Sequence, residues 1–217
     1  MRDESQIEKE HYQTLAYLKR ERFYSYVEQI ELVKKYAQTG DTILEVGKGN
    51  GLIEHILKEL LGFSVTTLDI NPDLHPDIVG NILKPGEWMK KPYDVVLAFE
   101  VLEHLPFHDA RKALEHLVQV AQKYVLISIP DMRGFVSARF SMFERFPLTV
   151  QKVISFPRLT HRHQPFGKDH YWEIGINAGK HKTTMKKIKS ELLKGFTVVE
   201  HFRCHLVPWH HYFVIQK

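Results

Sequence analysis

Thr42-Ile43-Leu44-Glu45-Val46-Gly47-Lys48-Gly49-Asn50-Gly51 decides the fold. A short apolar strand runs into a three-glycine turn. Leu52, Ile53, Ile56, Leu57 and Leu60 then follow at helical spacing. Strand, tight turn and helix in that order form the unit from which parallel α/β sheets grow. The glycines let the backbone turn sharply and approach a ligand without a Cβ in the way, while the helix N–H groups face the same point.

Working outward, the rhythm continues on both sides. Leu15, Leu18, Tyr26, Ile30, Val33 and Ala37 mark a preceding helix, stopped at Gly40-Asp41. Phe63 to Leu68 reads as a second strand ending on Asp69, Asn71-Pro72 as a turn, and Asp77 to Val79 as a short third strand. The continuous apolar run from Tyr93 to Phe99 suits a strand buried on both faces. Ala110, Ala113, Leu114, Leu117 and Ala121 give a helix with Asp109 near its start, and Val125 to Ile129 a further strand closed by Pro130. From Asp131 to about Lys180 the alternation breaks, with Pro147, Pro157 and Pro165 and frequent aromatics. We read that stretch as an insertion over the ligand face, beyond the strands' carboxyl ends. Met185, Ile188, Leu192 and Leu193 mark a last helix. Phe196 to Phe202 and Leu206 to Ile215 follow as a closing antiparallel pair.

The expectation is therefore an α/β, doubly wound, Rossmann-like fold. Its seven-stranded sheet is mostly parallel with an antiparallel last strand, preceded by an N-terminal helix and carrying an insertion after strand five. Residues 1–217 form one domain: a helical segment 1–39, a ligand-binding half 40–130, a lid 131–180, and a closing helix and strand pair 181–217.

Composition agrees. The 217 residues are 43% hydrophobic and 26% charged, ordinary for a globular chain large enough to need no staple. The single cysteine, Cys204, excludes an intramolecular disulfide or a cysteine-rich zinc module. No apolar run is long enough to span a bilayer, and the start MRDESQIEKE does not read as a signal peptide. A cytoplasmic protein without a membrane partner is expected. The net charge of +4 permits an anionic partner without requiring one. Lys182, Lys186, Lys187, Lys189 and Lys194 form a basic run without interleaved aromatics. It reads as a solvated helix face, so nucleic acid is not the favoured partner.

The glycine turn is joined by Asp69, twenty-two positions after Gly47, where a carboxylate accepts both hydrogen bonds of a ribose diol. A dinucleotide fingerprint starting at Gly47 needs glycine or alanine at position 52, which is Leu52, and no phosphate-binding P-loop occurs. The form E-x-G-x-G-x-G at the end of an apolar strand resembles motif I of class I S-adenosylmethionine-dependent methyltransferases. The resemblance extends through Leu68-Asp69-Ile70-Asn71-Pro72, Gly80-Asn81-Ile82-Leu83 and the run from Tyr93 to Leu105, similar to FDVV followed by VLEHL. It covers about residues 40–130 and implies S-adenosylmethionine as cofactor. Carried over, it puts Glu45, Gly47 and Gly51, with Gly49 in the same turn, at the methionine end. Asp69 would hold the ribose, Ile70 would pack on the adenine, Asn81 and Ile82 would meet its edge, and Glu100 would face the sulfonium. Asn81 departs from the family's usual aspartate. Its amide oxygen still accepts a hydrogen bond, so a modest affinity cost is expected.

Methyl transfer is an in-line displacement that needs positioning and, for an oxygen or nitrogen nucleophile, a base. The absence of Asn/Asp-Pro-Pro-aromatic after strand four argues against amino methylation of nucleic-acid bases, and the lone cysteine against cysteine-mediated C5 methylation. His161-Arg162-His163-Gln164-Pro165 and the run from Lys168 to Gly175 concentrate imidazoles, acids and aromatics. The second resembles an H-x-W-E-I stretch of some small bacterial and archaeal methyltransferases. His170 is the base candidate, with Trp172 and Glu173 as pocket formers. The other reading has Trp172 anchoring the insertion in the core and His170 capping a turn.

Glu100, Glu103 and His104 form E-x-x-E-H, which one helical turn would put on one face, with a fourth ligand from His161, His163 or His170. The triplet resembles the metal-binding turn of ubiquinone-pathway O-methyltransferases and small-RNA 2′-O-methyltransferases. Because V-L-E-H-L is also frequent in relatives without a metal, no metal is expected, and His104 stands beside His170 as a catalytic candidate. The expected function is methyl transfer to an oxygen or nitrogen of a small molecule. An RNA methyltransferase, a non-catalytic S-adenosylmethionine-binding module and, disfavoured by Leu52, a nicotinamide-dependent oxidoreductase are the rivals.

Overall fold

The computed structural model describes residues 12, 14, 17–142, 148–157, 167–177 and 182–217, the side chains of 140–142, 148, 149 and 177 excepted. The seven-stranded sheet runs in the order β10-β11-β5-β4-β1-β2-β3. Its strands are β1 (Thr42–Val46), β2 (Ser64–Asp69), β3 (Ile78–Val79), β4 (Tyr93–Phe99), β5 (Ala121–Pro130), β10 (Thr197–Arg203) and β11 (His210–Gln216). β1 pairs in parallel with β2 and β4, and β4 with β5. β11 runs antiparallel to both β5 and β10, as the closing pair required.

Side chains on a strand alternate between faces, and two cores result. Leu44, Val46, Val96, Ala98, Val125 and Ile127 pack on one face with Ala113, Leu114 and Leu117 of α4 (Phe107–Val120) and with Ile188 and Leu192, which lie just after α5 (Met185–Lys187). Trp88, at the end of the short helix α3 (Pro85–Trp88), belongs to the same cluster. Ile43, Val65, Val95, Leu97 and Leu126 pack on the other face with Tyr26, Leu32 and Val33 of α1 (Arg20–Tyr36), Ile53 of α2 (Leu52–His55) and Leu57. Apolar runs such as β4 are continuous because both faces are covered.

The stretch after β5 departs from the expectation of irregular chain. β6 (Gly134–Met142) and β7 (Leu148–Phe156) form a two-stranded antiparallel ribbon with nine register pairs, and β8 (Trp172–Glu173) pairs with β9 (Ile176–Asn177). Pro147 and Pro157 flank β7 and suggested a loop, while Phe135, Phe140 and Phe156 lie within the strands themselves. The ribbon's root is clamped by Arg203. It donates to the carbonyls of Asp131 and Arg133 at 2.9 Å each, to that of Pro208, and to the Ser155 hydroxyl at 2.9 Å.

Candidate functional site

The carboxyl ends of β1, β2 and β4 open into a cavity of about 490 Å³. The glycine turn forms its floor. Gly47, Gly49 and Gly51 have φ of +80°, +55° and +73°, the left-handed region that a side chain resists. At Gly47 a Cβ would also lie 2.7 Å from Val101 Cγ2.

Glu45 is brought to this floor by β1, 6% exposed, and its Oε2 has no hydrogen-bond partner. Burial, reinforced by the neighbouring Glu54, pushes its pKa up to about 8 against the pull of Lys48 and Lys58. At the lip, the half-buried Asp69 accepts the Lys48 N–H at 2.8 Å on one oxygen and the Asn71 N–H at 2.9 Å on the other. The backbone N–H groups of Gly49 and Ile70 also bear on it, and burial raises its pKa against all four. Ile70 lines the wall beside it.

Glu100 stands at the tip of β4 with φ +57°, a strained conformation for a residue with a side chain. Its carboxylate meets His210 Nε2 at 2.6 Å and Arg22 Nη1 at 2.9 Å. Burial alone would raise its pKa, but these partners hold it well below the carboxylate range. His210 is held in turn by the Ser25 hydroxyl, 3.1 Å from Nδ1.

A 3₁₀ turn at Leu102–His104 replaces the helical turn imagined for E-x-x-E-H. It separates Glu100 from the rest of the triplet. Among the described residues, Glu103, His104 and His170 instead offer one ligand atom each within 4.8 Å of one another. Both carboxyl oxygens of Glu103 and Nδ1 of His104 are buried without a hydrogen-bond partner. Burial raises Glu103 to about 8, and burial with the neighbouring His170 lowers His104 to about 4. His161 and His163 lie outside the described residues. His170 Nδ1 is 2.7 Å from Glu173 Oε1, which also accepts the Gly167 N–H at 3.0 Å. Burial opposes a charge on His170, yet the Glu173 hydrogen bond raises its pKa above the usual value.

Of the sequence candidates, Glu45, Gly47, Gly49, Asp69, Ile70, Glu100, His104 and His170 line this cavity. Gly51, Asn81 and Ile82 do not. Gly51 caps the start of α2, Ile82 belongs to the core, and Asn81 Oδ1 accepts the Leu83 N–H at 2.8 Å. Trp172 is 1% exposed and donates its indole N–H to the Leu105 carbonyl at 2.9 Å. It anchors the insertion in the core, and neither it nor Glu173 lines the cavity. The sequence reading missed Tyr12, Tyr17, Arg22 and Tyr26, which line the cavity from the N-terminal segment, and His210, which approaches from β11. The dense string of tyrosines and arginine between Tyr12 and Tyr26 was the available signal.

A search of curated proteins finds no sequence match. The chain is similar in structure to the glycopeptide N-methyltransferase MtfA complexed with S-adenosylmethionine, at 12% identity and a TM-score of 0.56 over 88% of this chain and 92% of that one. It is similar to magnesium protoporphyrin IX methyltransferase from Synechocystis PCC 6803, at 12% identity and 0.54 over 91% and 79%. The PH0226 protein of Pyrococcus horikoshii OT3 aligns at 14% identity and 0.60 over 95% and 98%. At such identities the likeness speaks for the fold. The family model described as a methyltransferase domain matches residues 18–173, more than half the chain, over the turn, the lip and the E-x-x-E-H segment. The chain belongs to the methyltransferase-domain family, as a class I S-adenosylmethionine-dependent methyltransferase.

Proposed function

We propose that this enzyme methylates an oxygen or nitrogen of a small molecule, with the cofactor seated between Glu45 and Asp69. One observation carries the seating: a buried acid with an unpartnered oxygen beside a cradle that only glycine can form. A buried polar atom without a partner is costly, and the ammonium of a methionine end supplies the missing donor. S-adenosylmethionine when bound supplies a methyl group already activated on sulfur. Asp69 holds the ribose diol, and Ile70 packs on the adenine.

The acceptor lies between Glu100 and His170. Glu173 fixes His170 with a proton on Nδ1, leaving Nε2 to accept the acceptor's proton. As that proton moves to His170, the freed electron pair forms the bond to the methyl carbon, and the carbon–sulfur electrons stay on sulfur. The imidazolium that results is stabilised by Glu173. His104, kept neutral, shapes the wall next to it, their rings 4.9 Å apart edge to face. No metal takes part in this reading. At neutral pH the raised Glu103 keeps its own proton, and Glu100 is committed to Arg22 and His210.

A small acceptor is supported by the modest, walled cavity and by the lysine run on and after α5, none of which lines it. We assign the insertion 131–180 as the lid, since Gly167 to His170 reach the cavity from it. No described helix is long and apolar enough to cross a membrane, and Cys204 is buried and free, as suits a cytoplasmic enzyme. Calorimetry with S-adenosylmethionine, S-adenosylhomocysteine and NAD tests the seating. The first two should bind one to one and lose affinity in Glu45→Leu, and NAD should not bind. Equal binding of NAD, or indifference to Glu45→Leu in a folded variant, overturns it.

A further inference from the structure

The β6–β7 ribbon turns a row of apolar side chains to water. Strand pairing puts Phe135, Ser137, Ser155 and Val153 on one face. That face meets the body of the protein: the Arg203 guanidinium lies 4.8 Å from the Phe135 ring centroid, Ser155 accepts from Arg203, and the Ser137 hydroxyl donates to the His205 carbonyl at 3.4 Å. The opposite face carries the cross-strand pairs Gly134–Phe156, Val136–Ile154 and Ala138–Lys152, with Val150 beyond them. Val136, Ile154 and Val150 are 60%, 56% and 55% exposed, and Phe156 38%. Phe135, 38% exposed on the first face, covers the Arg203 guanidinium, whereas Val136, Ile154 and Val150 touch no named partner and are each more than half exposed.

Two-stranded ribbons need an apolar face covered to be stable, and contiguous exposed apolar side chains mark an interaction surface. Charge selects the occupant. Lys152 is the only charged side chain among those pairs. Over the insertion, 131–180, eight Lys and Arg stand against four Asp and Glu, a net +4 that equals the charge of the whole chain. A second copy packed face to face would oppose like charges about the symmetry axis. We propose that the outer face of the β6–β7 ribbon docks this enzyme on an anionic lipid surface. Val136, Val150, Ile154 and Phe156 enter the boundary between headgroups and chains, while Lys152 lays its stem along the apolar side chains and its ammonium among the phosphates. Such docking lies on the membrane and does not cross it, and it goes beyond the expectation of no membrane partner.

Flotation of the full chain with vesicles tests this. It should float with phosphatidylglycerol–phosphatidylcholine vesicles, less so as salt rises, and not with phosphatidylcholine alone. Val136→Thr with Ile154→Thr keeps the β-branched shape and should abolish flotation, and Lys152→Gln should weaken it about fivefold. S-adenosylhomocysteine affinity should be unchanged in every variant, separating this proposal from the cofactor seating. Failure to float with anionic vesicles, or undiminished flotation of the threonine pair, overturns it. So does a lipid-free dimer in sedimentation that the same pair dissolves, which would make the face a contact between copies.

Discussion

Replacing Asp69 with alanine removes the carboxylate assigned to the ribose. A hydrogen bond to a charged acceptor contributes about 1.5–3 kcal/mol net when well buried. Asp69 is half-buried at the lip, and water would repair part of the loss. The pair of diol bonds is therefore worth about 2–4 kcal/mol, or roughly 30- to 700-fold in Kd. The same substitution strips the Lys48 and Asn71 N–H groups of their acceptor, at a cost to stability of about 1 kcal/mol each. Loss of turn order could lower affinity by itself, so the assay must separate the two effects. Calorimetry with S-adenosylhomocysteine and with an analogue lacking both ribose hydroxyls closes a double cycle. The full ligand should lose the stated factor on Asp69→Ala, and the analogue should bind both forms alike. Equal losses for the two ligands would refute the ribose contact and leave Asp69 as a brace for the turn.

Gly47→Ala puts a Cβ against Val101 at a φ of +80° and should abolish measurable S-adenosylhomocysteine binding. Gly40→Ala, at φ +93° with open space around it, should cost about 1–2 kcal/mol of stability and leave binding intact. Asp131 is fully buried between Arg133, Arg203 and His211, and despite the opposing effect of burial these partners hold its pKa far below the unfolded value of about 3.9. Its contribution is then fully present above that unfolded value and fades as pH falls through the depressed folded one. Denaturant midpoints should show Asp131→Asn losing about 3–5 kcal/mol at pH 7, with the gap to the native chain closing in strong acid. Methyl transfer, measured with any acceptor found, should survive exhaustive chelation; loss with EDTA and recovery with magnesium or manganese would place an ion on Glu103, His104 and His170.

What the sequence made legible follows from how local each feature is. The glycine turn, Asp69 and the apolar β4 are written in contiguous residues whose spacing has one geometric reading, and the structure puts them at one cavity. Asn81 was expected at the adenine by resemblance alone; it stands outside the cavity lining, its oxygen accepting the Leu83 N–H two residues on. Glu100 and Glu103 show the limit most clearly. Periodicity put both on one helical face, but the chain leaves β4 through a left-handed residue and a 3₁₀ turn. Three residues of that path aim the two acids at different partners. One faces Arg22 and His210, separated from it by 78 and 110 positions, and the other faces His170. Arg22 comes from α1, His210 from β11 and His170 from the insertion, all remote from the motif in sequence. A carboxylate's charge at this site is therefore set by tertiary pairing, so one acid of a single short motif stays ionised while its neighbour three residues on stays protonated. Against the effect of burial, Arg22 and His210 hold the first below the carboxylate range, and burial alone is enough to raise the second.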